Sequence, residues 1–175
     1  MKRIRRPVLR TAACVALLCA STLDAQQGPA PASAAQQQSR RDSSVIALAR
    51  QQLGRRYLFG GTSPESGFDC SGFVRYLMRA VGVETPRTAA QMARSGRPVP
   101  RDISQLRVGD ILTFGTGRVS HVGVYVGNGR YIHASTGAGR IVEARLDRPA
   151  SNLVKAWYGV RRMLDGDSAA AVAQR

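Results

Sequence analysis

Apolar residues recur at Val45, Ile46, Ala49 and Leu53, the spacing of one helical face, with Ser43 or Ser44 able to cap the start and Gly54 the end. A second amphipathic run starts at Asp69, with Phe73, Val74, Leu77 and Val81 as its apolar stripe and Gly82 as a stop. A third helix is framed by Thr85 as cap, Pro86 in the first turn and Gly96 as terminator. Beyond residue 109 the pattern shortens to strands: "DILTFG", "SHVGVYV", "RYIHAS", "RIVEAR" and "LVKAWYGVRRM". Helices followed by strands with tight turns predict an α+β domain, its N-terminal helices packed on an antiparallel sheet.

The flanks read differently. "MKRIRR" and "TAACVALLCAST" form the basic and apolar parts of a signal peptide, expected to cover residues 1–25. The apolar run is too short to span a bilayer, so no stable membrane insertion is expected once the peptide is cleaved. A lipoprotein site at Cys14 or Cys19 is disfavoured, because "ALL" precedes Cys19 and Cys14 lies too near the charged end. Residues 26–42, rich in Gln, Ala, Pro and Ser, read as a flexible linker, and 166–175 as a disordered tail. One domain, residues 43–165, lies between them. Export, to periplasm or medium, and a monomer are the expectations.

Charge adds one constraint. The chain carries +15, almost all from arginine, and the part after residue 25 still carries +11. Either an arginine-favouring genome or attraction to a polyanion explains it. No basic run with interleaved aromatics argues for nucleic acid.

With the signal removed, Cys70 is the one cysteine left. An unpaired thiol in an exported chain signals intermolecular bridging or a reactive group. Cys70 falls in the first turn of the second helix, where free N–H groups and the positive helix end lower a thiol pKa. An inert core cysteine is the alternative, and a helix N-terminus after a glycine-rich loop argues against it. The chain has two histidines, His121 and His133, on strands joined at "GNGR". A strict two-residue turn at Asn128-Gly129 would set His121 opposite Thr136 and send His133 to the other face. A one-residue shift sets His121 opposite Ser135 with His133 diagonally beside it. An odd loop or a β-bulge is therefore expected if both imidazoles serve one site. His121 would then be the base for Cys70, and His133 would orient it through the second ring nitrogen. The Cys70 N–H and the Tyr57 hydroxyl are candidate oxyanion donors, with aromatic packing the other reading of Tyr57. No CxxC or HxxxH spacing points to a metal, and "FGGTSPESG" lacks a phosphate-binding lysine, so no cofactor is expected.

The order "YLFGG", "GFDCSGFVRYL", "TPRTAAQM", "VGDILTF", "SHVGVYVGNGRYIHAS" and "YGVRR" resembles the NlpC/p-sixty family of cell-wall cysteine endopeptidases, over about Ser43 to Leu164. The resemblance implies a papain-like core and cleavage of peptidoglycan stem peptides at the D-γ-glutamyl–diamino acid bond. It implies Cys70 as nucleophile, His121 as base, His133 as third member and Tyr57 beside the oxyanion. It also implies Asp69 and Ser71 as flanking residues, with Ser71 touching substrate. Phe59 stands where that family commonly has tryptophan, and Val108 where proline often precedes "GD". A related N-acyl amidase or acyltransferase, a wall-degrading toxin and a non-catalytic wall-binding module remain alternatives.

Overall fold

The computed structural model describes residues 33–148 and 151–164. The expected signal peptide, Cys14, Cys19, the linker up to residue 32 and the tail lie outside them.

Helix α1 spans Ala34–Gln51, so it begins nine residues before Ser43. Ser33 and Gln36 form a reciprocal capping box at its start. Residues 34–42, expected within the linker, are thus its first two turns, and good helix-formers such as Ala and Gln carry them. Leu53 lies beyond the helix and is exposed, so it does not join the buried face of Val45 and Ala49.

A two-residue ribbon, β1 (Thr62–Ser63) and β2 (Gly67–Phe68), leads into helix α2, Cys70–Ala80. Asp69 is its N-cap, and the carboxylate accepts the Gly72 N–H at 2.6 Å. Such a cap contributes about 1 kcal/mol. Phe73, Val74, Leu77 and Met78 are fully buried, each side chain contributing about 2 kcal/mol through lost apolar surface. Val81 is instead the C-cap and only partly buried.

Helix α3 is one turn, Ala89–Met92. Its cap is Thr88, not Thr85, because Thr88 and Gln91 close a second capping box. Thr85 is buried upstream.

Strands β3 (Arg97–Val99), β4 (Ile111–Phe114), β5 (His121–Gly127), β6 (Arg130–Ser135), β7 (Arg140–Arg145) and β8 (Trp157–Arg162) form one antiparallel sheet, ordered β3-β8-β4-β5-β6-β7. β3 was not anticipated. The start of the last expected strand is a helical turn, α4 (Asn152–Lys155). One core joins α1 and α2 to Ile111, Val122, Val124, Ile132, Ala134 and Ile141. A second gathers Leu112, Phe114, Tyr125, Tyr131, Leu146 and Val160. Alternate residues of β4 and β6 supply the two, as period-2 side-chain direction requires.

The β4 and β8 ends of the family-like motifs are tied by a buried ion pair. Arg162 donates to both Asp110 oxygens at 2.7 Å and to the Gln105 carbonyl.

Candidate active site

The β5–β6 hairpin decides where the imidazoles go. Asn128 and Gly129, both at positive φ, make a two-residue turn closed by the pair Gly127–Arg130. The next pairs are Tyr125–Tyr131 and Val124–Ile132, so the register slips by one at Val126. This is the expected bulge. It puts both histidines on one face, where His121 Nε2 and His133 Nδ1 lie 2.8 Å apart with their rings perpendicular. Gly123, two residues along β5 from His121, faces His133, and a Cβ there would come within 3.1 Å of the His133 Cβ. Tyr131 stacks on His133, and Phe114 packs against His121.

Helix α2 brings Cys70 to the start of β5. The backbone N–H of Val122, the residue after His121, hydrogen-bonds the sulfur, and those of Ser71 and Cys70 itself assist. Burial is nevertheless the larger influence and pushes the Cys70 thiol up, with the Asp69 charge adding to it. The helix N-terminus therefore does not depress this thiol as the sequence suggested. Burial lowers His121 to about 4, and burial with the neighbouring His121 lowers His133 to about 3. The resting protein thus holds a neutral thiol and neutral imidazoles.

With Nε2 engaged by His133, His121 has Nδ1 left to accept a proton. That arrangement requires His121 to carry its hydrogen on Nε2 and donate it to His133 Nδ1.

Tyr57 enters on a separate segment, bridged to Phe68 and donating its N–H to the Gly139 carbonyl. Burial raises its phenol, and the nearby Cys70 and Asp69 raise it further. Its hydroxyl therefore stays protonated, as a donor must.

Asp69 and Ser71 are occupied otherwise. Arg87 grips both Asp69 oxygens, Nη2 to Oδ2 at 2.6 Å and Nη1 to Oδ1 at 3.1 Å. Oδ2 also accepts the Gly60 N–H, and Ser71 Oγ lies between Asp69 Oδ1 and Arg87 Nη1. Burial alone would raise Asp69, but these hydrogen bonds and the guanidinium bring it below the usual carboxylate range. Both side chains are buried, and their polar atoms are spent on the start of α2. This geometry gives Ser71 a positioning place in the Asp69–Arg87 clamp. Arg87 was overlooked in "TPRT", although a buried acid beside Cys70 needs a cation from somewhere.

Gly72 makes the approach possible. A Cβ there would lie 2.1 Å from the Gly61 carbonyl oxygen, so only glycine lets the helix and the Gly60–Gly61 turn meet.

Residues 54–161 match the family model described as "NlpC/P60 family". The chain belongs to the NlpC/P60 family. This NlpC/P60 chain is 46% identical over 88 residues to the murein DD-endopeptidase MepH of Escherichia coli K12, covering 48% of this chain and 32% of that protein. It is 42% identical over 100 residues to the gamma-DL-glutamyl hydrolase of Bacillus subtilis 168, covering 54% and 23%. It therefore spans less than half the length of either relative. An NlpC/P60 family protein from Bacillus cereus superposes with a TM-score of 0.65 at 31% identity, over 71% of this chain and 40% of that one.

Proposed function

We propose that this chain is an exported cysteine endopeptidase that hydrolyses amide bonds in peptidoglycan stem peptides. The observation that carries the reading is the bulge-aligned His121–His133 pair on a hairpin whose Val122 N–H, next to His121, holds the Cys70 sulfur at the head of α2.

In this mechanism His121 Nδ1 takes the Cys70 proton as the sulfur attacks the carbonyl carbon. The S–C bond forms while the C=O π electrons move to oxygen. The new imidazolium is stabilised through its Nε2–H···Nδ1 bond to His133. The Cys70 N–H and the Tyr57 hydroxyl stabilise the oxyanion. The C–N bond then breaks, His121 returns the proton to the leaving amine, and a thioester remains. Water attacks the thioester, His121 removes its proton, and the same proton goes back to the departing sulfur. Burial keeps the resting pair neutral, so proton transfer accompanies attack.

The D-γ-glutamyl–diamino acid bond is the proposed target, supported by the similarity to a gamma-DL-glutamyl hydrolase. The similarity to a murein DD-endopeptidase favours a second reading, cleavage of the D,D cross-bridge. Digesting purified peptidoglycan and weighing the released fragments separates the two. After a muramidase then cuts the glycan strands, the first reading gives disaccharide-dipeptides, and the second gives monomers from cross-linked dimers with their stems intact. Cys70→Ala should release neither, and equal release by both proteins would overturn the nucleophile assignment.

A further inference from the structure

The segment leading to the site, Leu53–Gly61, is held by its backbone and displayed by its side chains. On one edge the Gly54 N–H donates to the Ile141 carbonyl, the Ile141 N–H to Arg55, and the Tyr57 N–H to Gly139. On the other the Phe68 N–H donates to Arg56, and the Leu58 N–H to Phe68. A turn closed by the Gly61 N–H on the Leu58 carbonyl follows, and its Gly60 N–H is fixed to Asp69. Phe59 sits at the tip of that turn and is 89% exposed. An aromatic ring carried on so constrained a backbone, one hydrogen bond from the residue before Cys70, is presented at little conformational cost on binding.

Charge along the same segment is uncompensated. Arg56 and Arg140 lie directly opposite each other across a bridge, an arrangement that repels, and Arg55 is adjacent. Arg56 donates to the Ser66 carbonyl, and Glu65 lies near enough to Arg55 to be lowered by it in part. Yet among the described residues no carboxylate forms an ion pair with Arg55, Arg56 or Arg140. Elsewhere the acids are answered: Asp69 by Arg87, Asp110 by Arg162, Glu143 by Arg130, Glu84 by Arg79. The backbone bonds hold the repelling pair together, and a bound polyanion would relieve it.

We infer that Arg55, Arg56, Arg140 and Phe59 form a docking edge for intact peptidoglycan. The three cations meet carboxylates of neighbouring stems along the polymer, not those of the stem being cut, and the ring lies against the apolar face of a sugar. The edge holds the polymer so that one stem reaches Cys70. This rests on the proposed function for its occupant, while binding itself is separable from cleavage.

The test uses the full chain carrying Cys70→Ala, so that nothing is cut, and co-sedimentation with purified peptidoglycan. The polymer is compared before and after chemical removal of phosphate-linked polymers. Arg55→Gln/Arg56→Gln/Arg140→Gln together should weaken binding about tenfold and flatten its salt dependence. Phe59→Ala, a change at a solvent-facing side chain, should weaken binding about threefold. With Cys70 intact, the same variants should change kcat/KM on a soluble, sugar-free stem peptide less than twofold. Unaltered binding in both variants overturns the inference. So does a loss seen only with phosphate-bearing polymer, or an equal loss on the small peptide. If the unsubstituted chain cuts nothing while the binding losses appear, the docking edge stands and the hydrolase reading falls.

Discussion

Replacing Arg87 by methionine keeps much of its apolar stem and removes the guanidinium that grips Asp69. The Asp69 side chain is 10% exposed and that of Arg87 36%, so the pair is partly screened. A fully buried pair broken on one side costs about 3–5 kcal/mol and an exposed one about 0–1. The intermediate exposure, with Gly72 and Gly60 N–H donors remaining, gives about 2 kcal/mol, or about 7 °C in Tm for a domain of this size. The pH dependence makes the reasoning sharper. Asp69 lies below its ordinary value in the folded protein, so its contribution is present above the unfolded carboxylate pKa and is lost as pH falls through the folded one. Without Arg87, burial is opposed by the Gly72 and Gly60 N–H donors but by no guanidinium, so the folded value rises and the charge contributes less near neutrality. The gap between the two proteins should be widest at pH 6–8 and close below about pH 3.5. Urea unfolding at several pH values measures it, with Asp69→Asn/Arg87→Met as the charge-free control. Equal midpoints at neutral pH, or a gap as large in acid, would refute the clamp.

Four further outcomes are expected. With His121 at about 4 and the Cys70 thiol raised, kcat/KM should stay level from roughly pH 5.5 to 8.5, and a limb centred near 6.5 would contradict the neutral resting pair. Because both histidines are neutral when folded and protonate when unfolded, stability should decline as pH drops from about 6.5 toward 4, measurable by chemical unfolding. His133→Ala should lower kcat about 10- to 100-fold with KM little changed, partly restored in His133→Asn, as steady-state kinetics on a stem peptide would show. Gly72→Ala forces a Cβ into the Gly61 carbonyl and should cost about 2 kcal/mol in a urea titration while slowing alkylation of Cys70.

The parts of this domain legible in the sequence are those with local causes. Asp69 and the apolar spacing after it mark the head of α2, and the strand alternation marks β5 and β6. The bulge followed from requiring two histidines to share a face, and the Val126 slip meets that requirement. The start of α1 was hidden because "AAQQQSRRD" has no apolar face, and its helix rests on propensity and the Ser33–Gln36 box. Thr85 reads as the cap of α3, but Thr88, three residues on, has Gln91 to close a capping box and takes that place. Arg87 was illegible for a different reason. Its partner is eighteen residues away and is chosen by packing, not by spacing. The direction of the Cys70 shift likewise depends on burial, which outweighs a helix terminus that the sequence does show.

The central claim is that the Cys70 sulfur becomes acylated. Acid-quenching a reaction with a soluble stem peptide and weighing the intact protein tests it directly. The expected result is a mass increase equal to the N-terminal acyl fragment, mapped to the peptide containing Cys70 and absent in Cys70→Ala, which should not turn over. Cleavage by Cys70→Ala at an undiminished rate, with no adduct on the unsubstituted chain, would contradict it.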